Sequence, residues 1–267
     1  MDSNQSKESI NIPVTMVSFN CRSIKRSVEQ IRVLCAKSDI IALQETWLLP
    51  HDLGFINEIC PDFGGFAKSA VDTSLGLMSG RPYGGLALLW RKSLFPRVSV
   101  IDCSSDRLAA VRIDIAGRSI TILSVYLPYD DGSEESLTSF ISCLGHIQAI
   151  IDDDDSEAIY VMGDYNAHPD SRFGKELNLF CLDHALVSID KEFLPPDTYT
   201  HLNEGHGTSR WLDHCVGTVA AHKTVTSVYV DLGVYWSDHY PLVIKCELAL
   251  IIKKSTKPSS KSELYGV

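Results

Sequence analysis

The stretch Ala158-Ile-Tyr-Val-Met-Gly-Asp-Tyr-Asn166 begins as an apolar run of strand length and closes on polar groups that no strand needs for packing. The same punctuation recurs along the chain. Residues 15–19 run into Asn20, and residues 40–43 into Gln44-Glu45-Thr46. Residues 119–125 lead to Tyr126-Leu127-Pro128, and 209–212 to Asp213-His214. Residues 234–236 precede Ser237-Asp238-His239-Tyr240-Pro241, ahead of a last strand at 242–248.

Further strands are predicted at 85–90, 109–115 and 226–230, and a glycine turn at Ala116-Gly117-Arg118 predicts a hairpin. Two segments carry helical spacing instead. Val28, Ile31, Leu34 and Cys35 mark one helix. Leu137, Phe140, Ile141, Leu144, Ile147 and Ile151 mark a longer one, entered through Ser133 with Glu134 and Glu135 in its first turn. Many short strands with few helices predict an α/β fold of two packed sheets flanked by helices, because the alternation is too sparse for a barrel of eight βα units. The expected domain covers 12–250, between a flexible N-terminal tail at 1–11 and a flexible, Lys/Ser-rich tail or linker at 251–267.

Composition narrows the function classes. The 267 residues are 45% hydrophobic and 22% charged, an ordinary globular balance. No apolar run is long enough to span a bilayer, and the polar N-terminus is not a signal peptide. Eight cysteines stand singly with no CxxC pair, which argues against a disulfide framework or zinc site and for a reducing compartment, nuclear or cytoplasmic rather than secreted. The net charge of −10 argues against a high-affinity DNA-binding module. It leaves room for an enzyme that meets nucleic acid briefly through a local site and a metal.

Were the polar strand ends to meet at one rim, they would gather Glu45, Asp164, Asp213, Asp238, Asn20, Asn166, Tyr126 and His239. Four carboxylates, two carboxamides, a phenol and an imidazole suit Mg²⁺ and the charge on phosphoryl oxygens. The ordered series Asn20, Gln44-Glu45-Thr46, Tyr126, Gly163-Asp164-Tyr165-Asn166, Asp213 and Ser237-Asp238-His239 resembles the endonuclease/exonuclease/phosphatase superfamily over roughly residues 12–250. Single motifs such as QET are weak; their order is what is specific. The resemblance implies a deoxyribonuclease-like four-layered α/β sandwich, two mostly antiparallel sheets flanked by helices. It also implies a Mg²⁺ cofactor, with Mn²⁺ as an alternative.

Within that superfamily, FNCRSI, LQETW, GGLALLW, GDYNAHP, SRWLDHC and SDHYP look like the endonuclease domain of non-LTR retrotransposons. Arg22 lies where apurinic endonucleases place a second acidic residue, and the sequence blocks of inositol phosphatases are missing. This resemblance implies nicking of duplex DNA to 3′-hydroxyl and 5′-phosphate ends, with a reverse transcriptase domain as the partner in cis.

Residue roles follow from the resemblance, each beside a plainer reading. Glu45, Asn20 and Asp238 are the implied metal ligands, although a glutamate at a strand end is often only solvated. His239 is the implied general base, or an imidazolium that stabilises the phosphorane, oriented by Asp213. Asp164 would handle a proton. Asn166, Asn20 and Tyr126 would donate to phosphate oxygens, although a tyrosine ahead of Leu-Pro also commonly closes a strand. Thr200 and Ser237 complete the implied substrate contacts, with Ser237 also a candidate for holding the His239 loop. His168, followed by proline, reads as structural, and residues 200–209 as a hairpin that could stand above the site. A phosphodiesterase or phosphatase acting on a lipid or small phosphate shares the central chemistry, and the acidic charge favours it. A degenerate, non-catalytic binding module is the third reading, disfavoured because Glu45, Asp164, Asp238 and His239 are all present.

Overall fold

A strand covered on both faces carries apolar residues at consecutive positions, and Ile40–Gln44 is buried at every one. The computed structural model describes residues 8–74, 80–115, 117–234 and 236–252. In chain order the early elements are β1 (Glu8–Asn20), α1 (Val28–Lys37), β2 (Ile40–Gln44), β3 (Phe63–Lys68), β4 (Leu86–Arg91), β5 (Val98–Ile101), β6 (Leu108–Ile115) and β7 (Arg118–Tyr126). Next come α2 (Glu134–Asp153), β8 (Ala158–Asp164), α3 (Arg172–Asp183), β9 (Leu186–Ser188) and α4 (Ile189–Phe193). The last are β10 (His201–Asn203), β11 (Thr208–Arg210), β12 (Asp213–Thr218), α5 (Val219–His222), β13 (Val225–Val230) and β14 (Leu242–Ile252).

Two six-stranded sheets result, ordered β13-β14-β1-β2-β4-β3 and β5-β6-β7-β8-β12-β9. Each contains one parallel pair, β1/β2 and β7/β8; the other pairings are antiparallel. Met16, Ala42, Leu88, Ile122, Tyr160 and Ile244 belong to the core between the sheets. On the outer face of the first sheet, Phe19, Leu43 and Leu89 pack with Ile31 and Leu34 of α1. On the outer face of the second, Leu123 and Val161 pack with Phe140 of α2 and Phe173 of α3, whose rings stack at 4.2 Å. The expected four-layered sandwich is therefore present.

Ser133 caps α2 as expected, accepting from the Ser136 amide at 3.1 Å. The hairpin between β6 and β7 also matches, with Ile115 opposite Arg118. Elsewhere the structure departs from the reading. The strand expected at 209–212 is only half present: β11 ends at Arg210, residues 211–212 lie outside any strand, and Asp213 opens β12 instead of closing a strand. β1 and β14 pair out to Glu8 and Ile252, so 8–11 and 251–252 belong to the sheet instead of the expected tails. The remainder of those tails, 1–7 and 253–267, lies outside the described residues. Helix α3 was not anticipated, although Phe173, Leu177, Phe180 and Cys181 repeat at helical spacing and Ser171 caps the Gly174 amide at 3.0 Å.

Candidate active site

Register brings the polar strand ends together. In the first sheet Asn20 pairs with Gln44, immediately before Glu45. In the second, Tyr126 stands beside Asp164 and Asp164 beside Asp213, one row across three strands. Below this rim, Gln44 Nε2 donates to Ser124 Oγ at 3.0 Å, a buried polar link between the sheets.

Asn20 ties the two sheets at the site. Its wholly buried amide donates to Glu45 Oε1 at 2.9 Å and to Asp164 Oδ2 at 3.0 Å. Glu45 takes two more donors, Tyr126 Oη at 3.2 Å and Trp47 Nε1 at 3.1 Å on its other oxygen. Its backbone is in the left-handed region, at φ 52°, a strained conformation for glutamate that the surroundings must enforce. Backbone bonds from Thr46 and Trp47 to the carbonyls of Gly85 and Gly84 do so, at 3.2 and 3.0 Å.

Asp164 and Asp213 flank His239, all three nearly inaccessible. His239 Nδ1 is 2.8 Å from Asp213 Oδ2, and Nε2 is 3.7 Å from Asp164 Oδ2. Burial by itself would lower the His239 pKa, but the Asp213 and Asp164 carboxylates outweigh it and raise it to about 10. Burial raises Asp164 to about 6, with Asp213 adding to the rise and His239 opposing it. His239 is thus an imidazolium at neutral pH in the metal-free site. The Tyr126 phenol is also driven up, by burial and by Glu45, so it stays a proton donor.

Asn166, at φ 51°, donates its backbone amide to Asp164 Oδ1 at 2.9 Å. Its side-chain amide donates to the Leu127 carbonyl at 3.0 Å, which leaves one N–H for a ligand. Asp238 is ion-paired with Arg22 and lies 3.4 Å from His201 Nε2. Half burial would raise its pKa, but the His201 hydrogen bond, His239 and Arg22 together lower it.

The donor set fits a hard divalent cation: clustered carboxylate oxygens, with Asp213 Oδ1 and Asp238 Oδ1 both buried and without a hydrogen-bond partner among the described residues. Among the described residues two close groupings of ligand-type atoms occur, each within 4.8 Å: Asp164, Asp213 and His239, and His201, Asp238 and His239. Asp238 therefore clusters with His201 and Arg22, whereas Glu45 and Asn20 sit together with Asp164.

A model of the endonuclease/exonuclease/phosphatase family matches residues 17–239. The chain belongs to that family. Family members are hydrolases of phosphate esters that use divalent metals, and the carboxylates of this rim are of the kind that could form such a site. A comparison with curated protein sequences found no match.

Solved structures of nucleases share the family fold. The apurinic endonuclease of Leishmania major aligns with a TM-score of 0.73 at 13% identity, covering 88% of each chain. The endonuclease domain of TRAS1, a telomere-specific non-LTR retrotransposon, aligns at 0.67 and 16%, over 88% of this chain and 98% of that one. The 3′–5′ exonuclease of Neisseria meningitidis aligns at 0.65 and 17%, over 86% and 98%.

Against this family site two expected substrate contacts must be corrected. Thr200 is wholly buried, and its hydroxyl oxygen accepts the Leu212 and Asp213 amides at 3.0 Å, so it sets the start of β12 and does not face a phosphate. Ser237 is also occupied: it donates to the Asn20 carbonyl at 2.8 Å and accepts the His239 amide at 3.1 Å. Its work is to hold the His239 loop. His168 is structural as expected, accepting the Trp211 amide at 3.2 Å, and 201–210 does form a hairpin, with His201 bridging to His239.

Three contributors were missed. His201 touches both Asp238 and His239, with ring centroids 4.7 Å apart for the two histidines. Trp47 holds Glu45 and lies in the LQETW run, so its position was a signal left unused. His214, next to Asp213, lies between Asp190 Oδ2 at 2.8 Å and the Ala167 carbonyl at 2.9 Å. It fastens the loop carrying Asn166 to β12.

Proposed function

We propose that this chain is a Mg²⁺-dependent endonuclease that nicks duplex DNA, leaving 3′-hydroxyl and 5′-phosphate ends. The observation that carries the reading is the Asn20 amide joining Glu45 and Asp164 beside the His239–Asp213 pair. Its motif set further supports a target-nicking role in a non-LTR retrotransposon polyprotein, with a reverse transcriptase domain in cis and action in the nucleus.

Mg²⁺, or Mn²⁺ in its place, held by Glu45 and with Asp238 near it, would polarise a phosphate oxygen. The protein groups act around that oxygen. Asp164, buried and raised toward neutrality, accepts the proton of the attacking water. His239, held as an imidazolium by Asp213, presents Nε2 to the charge that develops on the phosphorane. Asn166 donates to a remaining oxygen, while Asn20 and Tyr126, whose donors are already spent on the Glu45 and Asp164 carboxylates, act by positioning them.

Supercoiled plasmid incubated with Mg²⁺ tests the proposal. Wild type should convert it to open circles that DNA ligase reseals, and His239→Ala should be slower by roughly 10²–10⁴-fold. The net charge of −10 favours one competing reading, a phosphatase or phosphodiesterase acting on a lipid or small phosphate. Hydrolysis of sphingomyelin, phosphoinositides or nucleotides with plasmid left intact would establish that reading instead.

A further inference from the structure

Glu45 and Tyr126 also line a cleft of about 500 Å³ that includes neither His239 nor Asp164. Its other walls come from the segment before β4, with Arg81 and Tyr83, and from the segment after β7, with Tyr129. Tyr83 is 60% exposed and Tyr129 69%, two bared aromatic side chains bordering one cleft. Arg81 lies 5.1 Å from the Trp47 ring centroid, and Arg107 lies 5.9 Å from that of Tyr126 while donating to the Tyr126 carbonyl at 3.1 Å. Neither guanidinium has an acidic partner among the described residues.

The cleft is built and not incidental. Gly84 and Gly85 adopt φ of 57° and 81°, and a Cβ on Gly85 would lie 2.6 Å from Thr46 Oγ1. Those two glycines fix the Tyr83 segment against Thr46 and Trp47. Three acidic residues share the lining, Glu45, whose carboxylate accepts Asn20, Tyr126 and Trp47, together with Asp131 and Glu135. The Asp131 carboxylate is occupied locally, accepting Ser133 N at 2.9 Å and Ser133 Oγ at 2.6 Å.

We propose that this cleft seats one unpaired nucleotide next to the scissile bond. Its base stacks on Tyr83 and Tyr129, and its phosphate meets Arg81 and Arg107. Aromatic faces beside unpartnered guanidinium groups are the means by which proteins hold unstacked bases without reading their sequence. The inference rests on the nuclease reading and adds to it a preference for DNA in which a base beside the cut is out of the duplex.

The test compares oligonucleotides that differ only in carrying a normal or an abasic nucleotide, placed in turn on each side of the cut. Wild type should show the lower KM for the base-bearing substrate on one side. Tyr83→Ala/Tyr129→Ala should raise that KM roughly 5- to 100-fold and abolish the discrimination. Both positions are exposed, so the variant should fold, which circular dichroism checks. Cleavage of every substrate with discrimination absent in wild type, or unchanged in the variant, overturns the nucleotide subsite alone. Cleavage of none, with hydrolysis of a small phosphate ester retained, overturns the nuclease reading and this inference with it.

Discussion

Asp213 Oδ2 lies 2.8 Å from His239 Nδ1, and neither side chain is more than 7% exposed. The contact decides which face of the imidazole can do chemistry. Nδ1 is spent on Asp213, and Nε2 turns toward Asp164. It also sets the charge of the ring, because a carboxylate in a buried site favours the imidazolium strongly.

Asp213→Asn keeps the shape of this pair and removes the charge. Catalytic rate should fall by roughly 10²–10⁴-fold, the usual range for a positioned proton-handling group. His239 should also titrate lower, because the carboxylate that raises it is gone. A pH–rate profile measured beside wild type checks both. An alkaline limb that does not move to lower pH would separate Asp213 from the titration of His239.

Stability of the metal-free protein should fall with rising pH in two steps. Asp164 and His239 both hold a proton more tightly when folded, at about 6 against 3.8 and about 10 against 6.5. The contribution of Asp164 is fully present below pH 3.8 and is lost as pH rises through 6. That of His239 is fully present below 6.5 and is lost through 10. Melting temperatures of wild type and His239→Gln in chelator should therefore converge as pH rises from 6.5 to 10. A gap that widens over that interval contradicts the assignment.

On the proposed metal reading, Arg22, ion-paired with Asp238, would compete with the cation for that carboxylate. Arg22→Gln should free that carboxylate, so Mg²⁺ should be needed at several-fold lower concentration for half-maximal binding by calorimetry. The His201 contact keeps Asp238 in place in the variant. Unchanged or weaker Mg²⁺ binding would show that Asp238 is not used by the metal.

Below the site, His214 bridges Asp190 Oδ2 and the Ala167 carbonyl through its two ring nitrogens, and the other oxygen of Asp190 accepts the Cys215 amide at 3.0 Å. Both side chains are fully buried. Asp190→Ala leaves the buried His214 Nδ1 and Cys215 amide without partners and should cost roughly 2–5 kcal/mol in urea unfolding. A loss under about 1 kcal/mol would show that Asp190 does not hold this part of the fold.

Much of this was legible in order along the chain. Glu45, Asp164 and His239 stand out because each follows an apolar run that needs no such residue. Thr200 was misassigned because hydroxyls serve phosphates and backbone amides equally well, and only its burial against the Leu212 and Asp213 amides distinguishes the two uses. Of the two readings of Ser237, the one that holds the His239 loop matches its hydrogen bonds. Helix α3 shows the same helical spacing as the shorter α1, at Phe173, Leu177, Phe180 and Cys181, so its signal was present in the sequence.

Sequence alone determined most of the long strands, the two-sheet class and most of the inventory of candidate catalytic groups, since apolar runs and their polar ends are local signals. Tertiary structure decided how the inventory is used. Asp213 meets His239 across 26 residues, Asn20 meets Asp164 across 144, and Arg22 meets Asp238 across 216. Those meetings depend on strand register and sheet packing, set by the whole core at once, and no stretch of sequence encodes them by itself.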